Sequence, residues 1–193
     1  MRVIAGTARS VPLKTLDGLD TRPTTDRVKE AVFNIIQFEI EGRRVLDLFG
    51  GSGQMAIEAL SRGAAHADIV DCSKLAAGVI KENLQHTKLS DRASVTVSDY
   101  MQFLNTAKAE YDLVFLDPPY AEKFLENALN RISEIDILKS GGIIVCEKPS
   151  EKNLCVEMPG FTRSKEYRYG KTAIVLFRKN RSFDIETGGI FHE

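Results

Sequence analysis

Two hydrophobic periods alternate along the chain. Short apolar runs, "RRVLDLF" (43–49), "ADIVDC" (67–72), "SVTVSD" (94–99), "YDLVFLD" (111–117) and "GIIVCEK" (142–148), read as strands. Between them lie stretches with helical spacing. "GQMAIEALSRG" (53–63) puts Met55, Ala59 and Leu60 on one side and stops at Gly63. "KLAAGVIKENLQHTKL" (74–89) repeats Leu75, Val79, Ile80 and Leu84, and "EKFLENALNRISEIDIL" (122–138) fills the last gap. Near-continuous apolar strands alternating with helices predict an α/β fold with a mostly parallel sheet covered on both faces.

The two ends break this rhythm. "MRVIAG" and "VPLKTL" predict a small hairpin within residues 1–20. "DRVKEAVFNIIQF" (26–38) predicts an amphipathic helix with Val28, Ala31, Val32, Ile35 and Ile36 inward. "FTRSKEYRYG" and "KTAIVLFRK" predict a final antiparallel pair, and residues 181–193 a patternless tail. With no internal repeat or linker, residues 1–180 read as one domain.

Composition adds exclusions. No apolar run approaches the roughly 18–20 residues that span a membrane, and the N-terminus has no signal-peptide core. Cys72, Cys146 and Cys155 form no CxxC pair, and His66, His86 and His192 are scattered. The expectation is a cytoplasmic protein without disulfides or a metal site. Net charge is −1, but residues 1–29 carry +3 and residues 160–180 carry +5. Such patches are either solvated faces or phosphate-holding surfaces.

The loop "VLDLFGGSGQMA" (45–56) lets a ligand approach the backbone at a helix start. Gly51, Gly53 and Ala56 match a dinucleotide fingerprint, with Asp71 about 20 residues on. Asp47, just before the glycines, argues against a pyrophosphate and for a ligand with an ammonium group. S-adenosylmethionine fits: Asp47 for its amino group, Asp71 for the ribose hydroxyls, Asp99 for the adenine amine. Each acid could instead cap a helix.

"DPPY" (117–120) ends the fourth strand. The prolines fix the backbone, so the Pro118 carbonyl is held toward the crevice while Pro119 donates no hydrogen bond. With Asp117 this gives two acceptors for one NH₂ group, and Tyr120 offers a face on which a base stacks. Such a site holds an exocyclic amine of a nucleobase and aims its lone pair at a sulfonium methyl.

"DLFGGSG", the acid of "IVDCS" and "DPPY", in that order, resemble S-adenosylmethionine-dependent amino methyltransferases, which act on adenine N6, cytosine N4 or guanine N2. "RVIAG", "TRPTTDRVKEAVFN" (21–34) and "GSGQMAIEALSRGA" (51–64) are similar to the bacterial 16S ribosomal RNA guanine-N2 methyltransferases that modify guanine 966. That family usually has Arg-Gly where this chain has Arg9-Ser10, and often Ala at Gly50.

The resemblance implies a Rossmann-like class I methyltransferase with a seven-stranded sheet. It also implies a monomer acting on 16S rRNA within a 30S subunit or its assembly intermediate. The expected catalytic set is Asp117, Pro118, Pro119 and Tyr120. The cofactor set is Asp47, Phe49, Gly51, Ser52, Gly53, Asp71, Cys72, Asp99 and Tyr100, with Arg22 and Thr24 of the RPTT string. Arg2, Arg9, Arg27, Lys165 and Arg168 are the expected RNA contacts. The alternatives are a DNA adenine or cytosine amino methyltransferase, an NAD-linked oxidoreductase, and a non-catalytic RNA-binding module.

Overall fold

The computed structural model describes residues 1–16, 26–119 and 123–181. Five helices lie among them: α1 (Asp26–Ile35), α2 (Gln54–Ser61), α3 (Lys74–His86), α4 (Tyr100–Thr106) and α5 (Phe124–Ile135). The strands are β1 (Arg44–Asp47), β2 (His66–Asp71), β3 (Ala93–Val97), β4 (Tyr111–Leu116), β5 (Leu138–Pro149), β6 (Phe161–Arg163), β7 (Tyr167–Tyr169) and β8 (Thr172–Lys179). They form one sheet in the order β3-β2-β1-β4-β5-β8-β6, with β7 also paired to β8. β1 to β5 are parallel and β8 runs antiparallel between β5 and the short strands. The edge beyond β8 is therefore a single position split in two, which keeps the sheet seven positions wide.

Strand order reverses between β1 and β4, and the crevice outside their carboxyl ends is where such sheets bind ligands. Two apolar layers follow from strand alternation. Val45, Leu113, Phe115, Ile143 and Val145 face α1, α2 and α3. Leu46, Val114, Leu116, Ile144 and Cys146 face α5 and the Leu104 side of α4.

Three expectations are corrected. α4 was not expected: "YMQFLNT" is short and buries only Leu104, so its periodicity is too weak to read. In α3 the inward stripe is Ala76, Ala77, Ile80, Asn83 and Leu84, and Leu75 is 64% exposed. α1 ends at Ile35 and buries Lys29 and Phe33 beside Val28 and Val32.

The N-terminal hairpin is present. Arg2 bridges Pro12, and Val3 N–H donates to the Val11 carbonyl (3.0 Å), Ser10 N–H to Val3 (2.9 Å) and Leu13 N–H to Met1 (3.0 Å). It is pinned to α2 by polar groups. Both oxygens of the buried Glu58 carboxylate accept backbone N–H groups, from Ile4 (2.8 Å) and Ala5 (3.0 Å). Ser61 accepts from Ala8 N–H through its hydroxyl and from Thr7 N–H through its carbonyl. Gly6 lies so close that a Cβ there would sit 1.9 Å from the Ser61 carbonyl oxygen. Lys29, fully buried on α1, donates to the Arg2 carbonyl (2.5 Å) and faces Glu58 at 3.6 Å.

Ser10 explains one departure from the family pattern. Its φ is +68°, a region glycine enters freely and other residues enter at a cost of about 1–2 kcal/mol. Ser10→Gly should therefore stabilise the protein by roughly 0.5–1 kcal/mol net of glycine's larger unfolded-state entropy. The expected rise in melting temperature is about 1–4 °C by calorimetry. A fall would show that the serine hydroxyl outweighs the strain.

Candidate functional site

The site assembles at the carboxyl ends of β2, β1 and β4. The glycine loop leaves β1, turns through Gly51 (φ +54°) and Gly53 (φ +79°), and enters α2. Gly50 N–H donates to the Val70 carbonyl (2.8 Å), fastening the loop against β2. A Cβ on Gly50 would lie 2.6 Å from Ile69 Cγ2 and 3.1 Å from Ile80 Cδ1. The second departure thus has a local reason: in this chain the two isoleucines fill the space an alanine would need. A Cβ on Gly51, by contrast, would meet no atom within 4 Å, so that face of the loop is open.

Asp71 orders the loop. One oxygen accepts from Gly51 N–H (2.8 Å) and the other from Ser73 N–H (2.8 Å). A carboxylate has about four acceptor positions, so it keeps capacity for hydroxyls. Cys72 beside it is exposed. Ser52 is held through its carbonyl by the buried Asn83 amide (2.9 Å). Asn83 also exchanges two hydrogen bonds with the Lys14 backbone, coupling the N-terminal segment to the loop.

Asp47 is 2% exposed and accepts from Ala56 N–H at 3.3 Å. Burial, with a smaller contribution from the Asp71 charge, pushes its pKa up to about 7. Gln54, the first residue of α2, is 7% exposed, and its Oε1 is buried without a hydrogen-bond partner. An acidic floor, an open glycine backbone and an orphan acceptor fit a ligand carrying an ammonium group.

Asp99 corresponds partly to the alternative reading. It caps α4, with Oδ1 accepting from Met101 N–H (2.8 Å) and Gln102 N–H (3.2 Å). The cap places Tyr100 against Phe49 (5.2 Å between ring centroids) and Phe124 (5.5 Å, edge-on). This trio joins the segment after β1 to the first turns of α4 and α5 in one aromatic cluster.

Asp117 is half-buried, Pro118 buried and Pro119 exposed, directly after β4. Asp47 pairs in register with Phe115, so Asp117 lies two residues further out on the same face, about 7 Å along the strand direction. Tyr120, Arg22 and Thr24 fall outside the described residues.

The expected RNA contacts divide. Arg2 and Arg9 are exposed and line a cavity of about 240 Å³ with Asp26 and Glu30 of α1, so the hairpin's surface is of mixed charge. Arg27 is exposed on the same helix. Lys165 lies over the Tyr167 ring (5.3 Å), and Arg168 pairs with Glu166 (2.9 Å), which also holds the buried Lys148 (3.1 Å). Lys165 precedes β7 and Arg168 lies within it, and β7 pairs with the part of β8 that runs beside the carboxyl end of β5. Arg178 and Lys179 belong to the other end and are taken by Glu39 and Asp136. Of the C-terminal patch, residues 165–171 therefore lie toward the carboxyl end of β5, and Arg178 and Lys179 toward the opposite end.

Sequence reading missed Lys29, Gln54, Glu58, Asn83 and Phe124. Each of the first four is a polar residue inside an apolar stripe, which was the available signal.

The family model described as Conserved hypothetical protein 95 matches residues 1–178. The Haemophilus influenzae ribosomal RNA small subunit methyltransferase D is 35% identical over 92% of this chain and 93% of its own length. Its Escherichia coli namesake is 32% identical over 93% and 90%. The chain belongs to this family. A solved structure from Escherichia coli, named as a candidate methyltransferase, yhhF, is 32% identical with a TM-score of 0.85, covering 94% of this chain and 99% of that one. Among the described residues no helix is long and apolar enough to cross a membrane, and no cluster of His, Cys, Asp and Glu could hold a metal ion.

Proposed function

We propose that the protein moves a methyl group from S-adenosylmethionine to the exocyclic N2 of a guanine in 16S ribosomal RNA, of the guanine-966 type. It would act as a monomer on the 30S subunit or an assembly intermediate. The observation that carries this is the pairing of two acids at the switch point, Asp47 behind the open glycine loop and Asp117 at the end of β4. The small-subunit methyltransferases to which the chain is similar support the choice of RNA.

The cofactor, when bound, supplies an electrophilic methyl on a sulfonium. The chain's own residues do the rest. Asp47 and Gln54 hold the amino-acid end, Asp71 the ribose, and Phe49 with Tyr100 the adenine. The target base leaves its stack. Asp117 and the Pro118 carbonyl accept its two amino hydrogens, and the Tyr120 ring supports its plane. As the N–C bond forms and the S–C bond breaks, the nitrogen sheds one proton, and Asp117 takes it directly or through water. Positioning and charge placement carry the acceleration.

Mass spectrometry of ribosomal RNA from cells lacking the protein tests the reading. The expected result is loss of one N2-methylguanosine from 16S rRNA and no change elsewhere. Unchanged 16S methylation would remove the proposal.

Asp47 gives a pH prediction. Its raised pKa means that its ionised form is unfavourable in the unliganded fold. Its contribution to stability is complete below the ordinary carboxylate value and is lost as pH rises through about 7. A bound ammonium group favours the ionised form, so cofactor binding near pH 7 should release part of a proton from Asp47. Calorimetry in buffers of different ionisation enthalpy reads this directly. Identical binding enthalpies in all buffers at pH 7 would place the ammonium elsewhere.

A further inference from the structure

Glu147 lies on β5 and is 8% exposed. Cys146 and Leu116 are the last register pair of β5 and β4, and Glu147 and Asp117 are the next residue on each chain segment. Val145 and Phe115, two residues back from each, share the same apolar layer, so strand alternation puts both carboxylates on the face that also carries Asp47. On the other side Glu147 is level with Ile174, and Ile174 with Tyr167 of β7. The row Asp117, Glu147, Ile174, Tyr167 thus runs from the proposed catalytic motif to the basic strand of the crevice rim. A buried acid at the end of a central strand is costly as a structural element. Glu147 has interactions within the fold, and a carboxylate with about four acceptor positions can serve a ligand as well.

We infer that Glu147 is a specificity residue that accepts the N1–H of the target guanine while Asp117 receives the N2 amine. This rests on the proposed guanine-N2 reading. Guanine presents N1–H and the N2 amine side by side, two donors from one edge. Two carboxylates on adjacent strands, roughly 5 Å apart at the backbone, match that edge. Adenine at N1 and cytosine at N3 present lone pairs instead, which Glu147 would repel. The Asp-Pro-Pro-Tyr motif accepts any exocyclic amine, so the choice of guanine has to come from a neighbour of this kind.

The test uses the full protein and small subunits reconstituted with 16S rRNA bearing guanine or 2-aminopurine at the methylated position. 2-Aminopurine keeps the 2-amine but has a lone pair at N1. Wild type should methylate guanine at least about 100-fold faster than 2-aminopurine. Glu147→Gln, whose amide can donate to N1, should narrow the ratio to within about tenfold, with cofactor affinity and melting temperature near wild type. The ratio does not depend on the folded fraction, so a destabilised variant still reads out. An unchanged ratio in Glu147→Gln overturns the inference, as does a wild type that accepts both bases equally. A wild-type product other than N2-methylguanosine would instead overturn the underlying guanine-N2 reading.

Discussion

Asp117→Asn should lower single-turnover methylation by about 100- to 1000-fold, the range seen when one transition-state partner of a developing charge is removed. The substitution keeps shape and volume. It removes the negative charge that balances a nitrogen gaining positive character, and it can present an NH₂ to a group that itself donates. Affinity for S-adenosylmethionine should stay close to wild type, because Asp47, Gln54 and Asp71 belong to β1, α2 and β2. A rate within a few-fold of wild type would remove the acceptor role. A parallel loss of cofactor affinity would show that Asp117 holds the loop rather than the base.

Glu58→Ala has the largest expected effect on stability. Glu58 is fully buried and carries two backbone N–H groups of the hairpin, the Arg62 guanidinium (2.8 Å) and the charge facing Lys29. Truncation leaves these donors without their acceptor and Lys29 without its buried counter-charge, although Asp26 stays at 3.9 Å. Breaking one side of such a pair costs about 3–5 kcal/mol, roughly 6–20 °C in melting temperature for a chain of this size. Burial already holds the Lys29 pKa below its usual value, against the pull of Glu58. Adding Lys29→Met should therefore recover part of the loss, whereas independent sites would add their costs. A loss below about 1 kcal/mol would mean that water reaches the pair.

These two residues show what the sequence could and could not disclose. Asp117 is local: a carboxylate and two prolines closing an apolar strand state their chemistry within four residues. The parallel sheet was legible for the same reason, since each strand and helix carries its own period. Glu58 acts on Ile4, 54 residues away, and Asn83 on Lys14, 69 away. No period in a linear pattern reports such partners, though an acid in "QMAIEALS" was a visible anomaly. α4 escaped because seven residues with one buried side chain have no stripe. Glu147 escaped because it follows an apolar run, "IIVC", that looked complete without it. The role proposed for it rests on the β4–β5 register, which ends one residue before Asp117 and Glu147.

Whether Asp117 and the Pro118 carbonyl hold an exocyclic amine, and whether the base is guanine, is decided by incubating the purified protein with methyl-labelled S-adenosylmethionine and unmethylated 30S subunits, then separating the labelled nucleosides. A single labelled product, N2-methylguanosine from 16S rRNA, should form with wild type and be nearly absent with Asp117→Asn. Label in N6-methyladenosine or N4-methylcytidine, or equal label from both proteins, would contradict this reading.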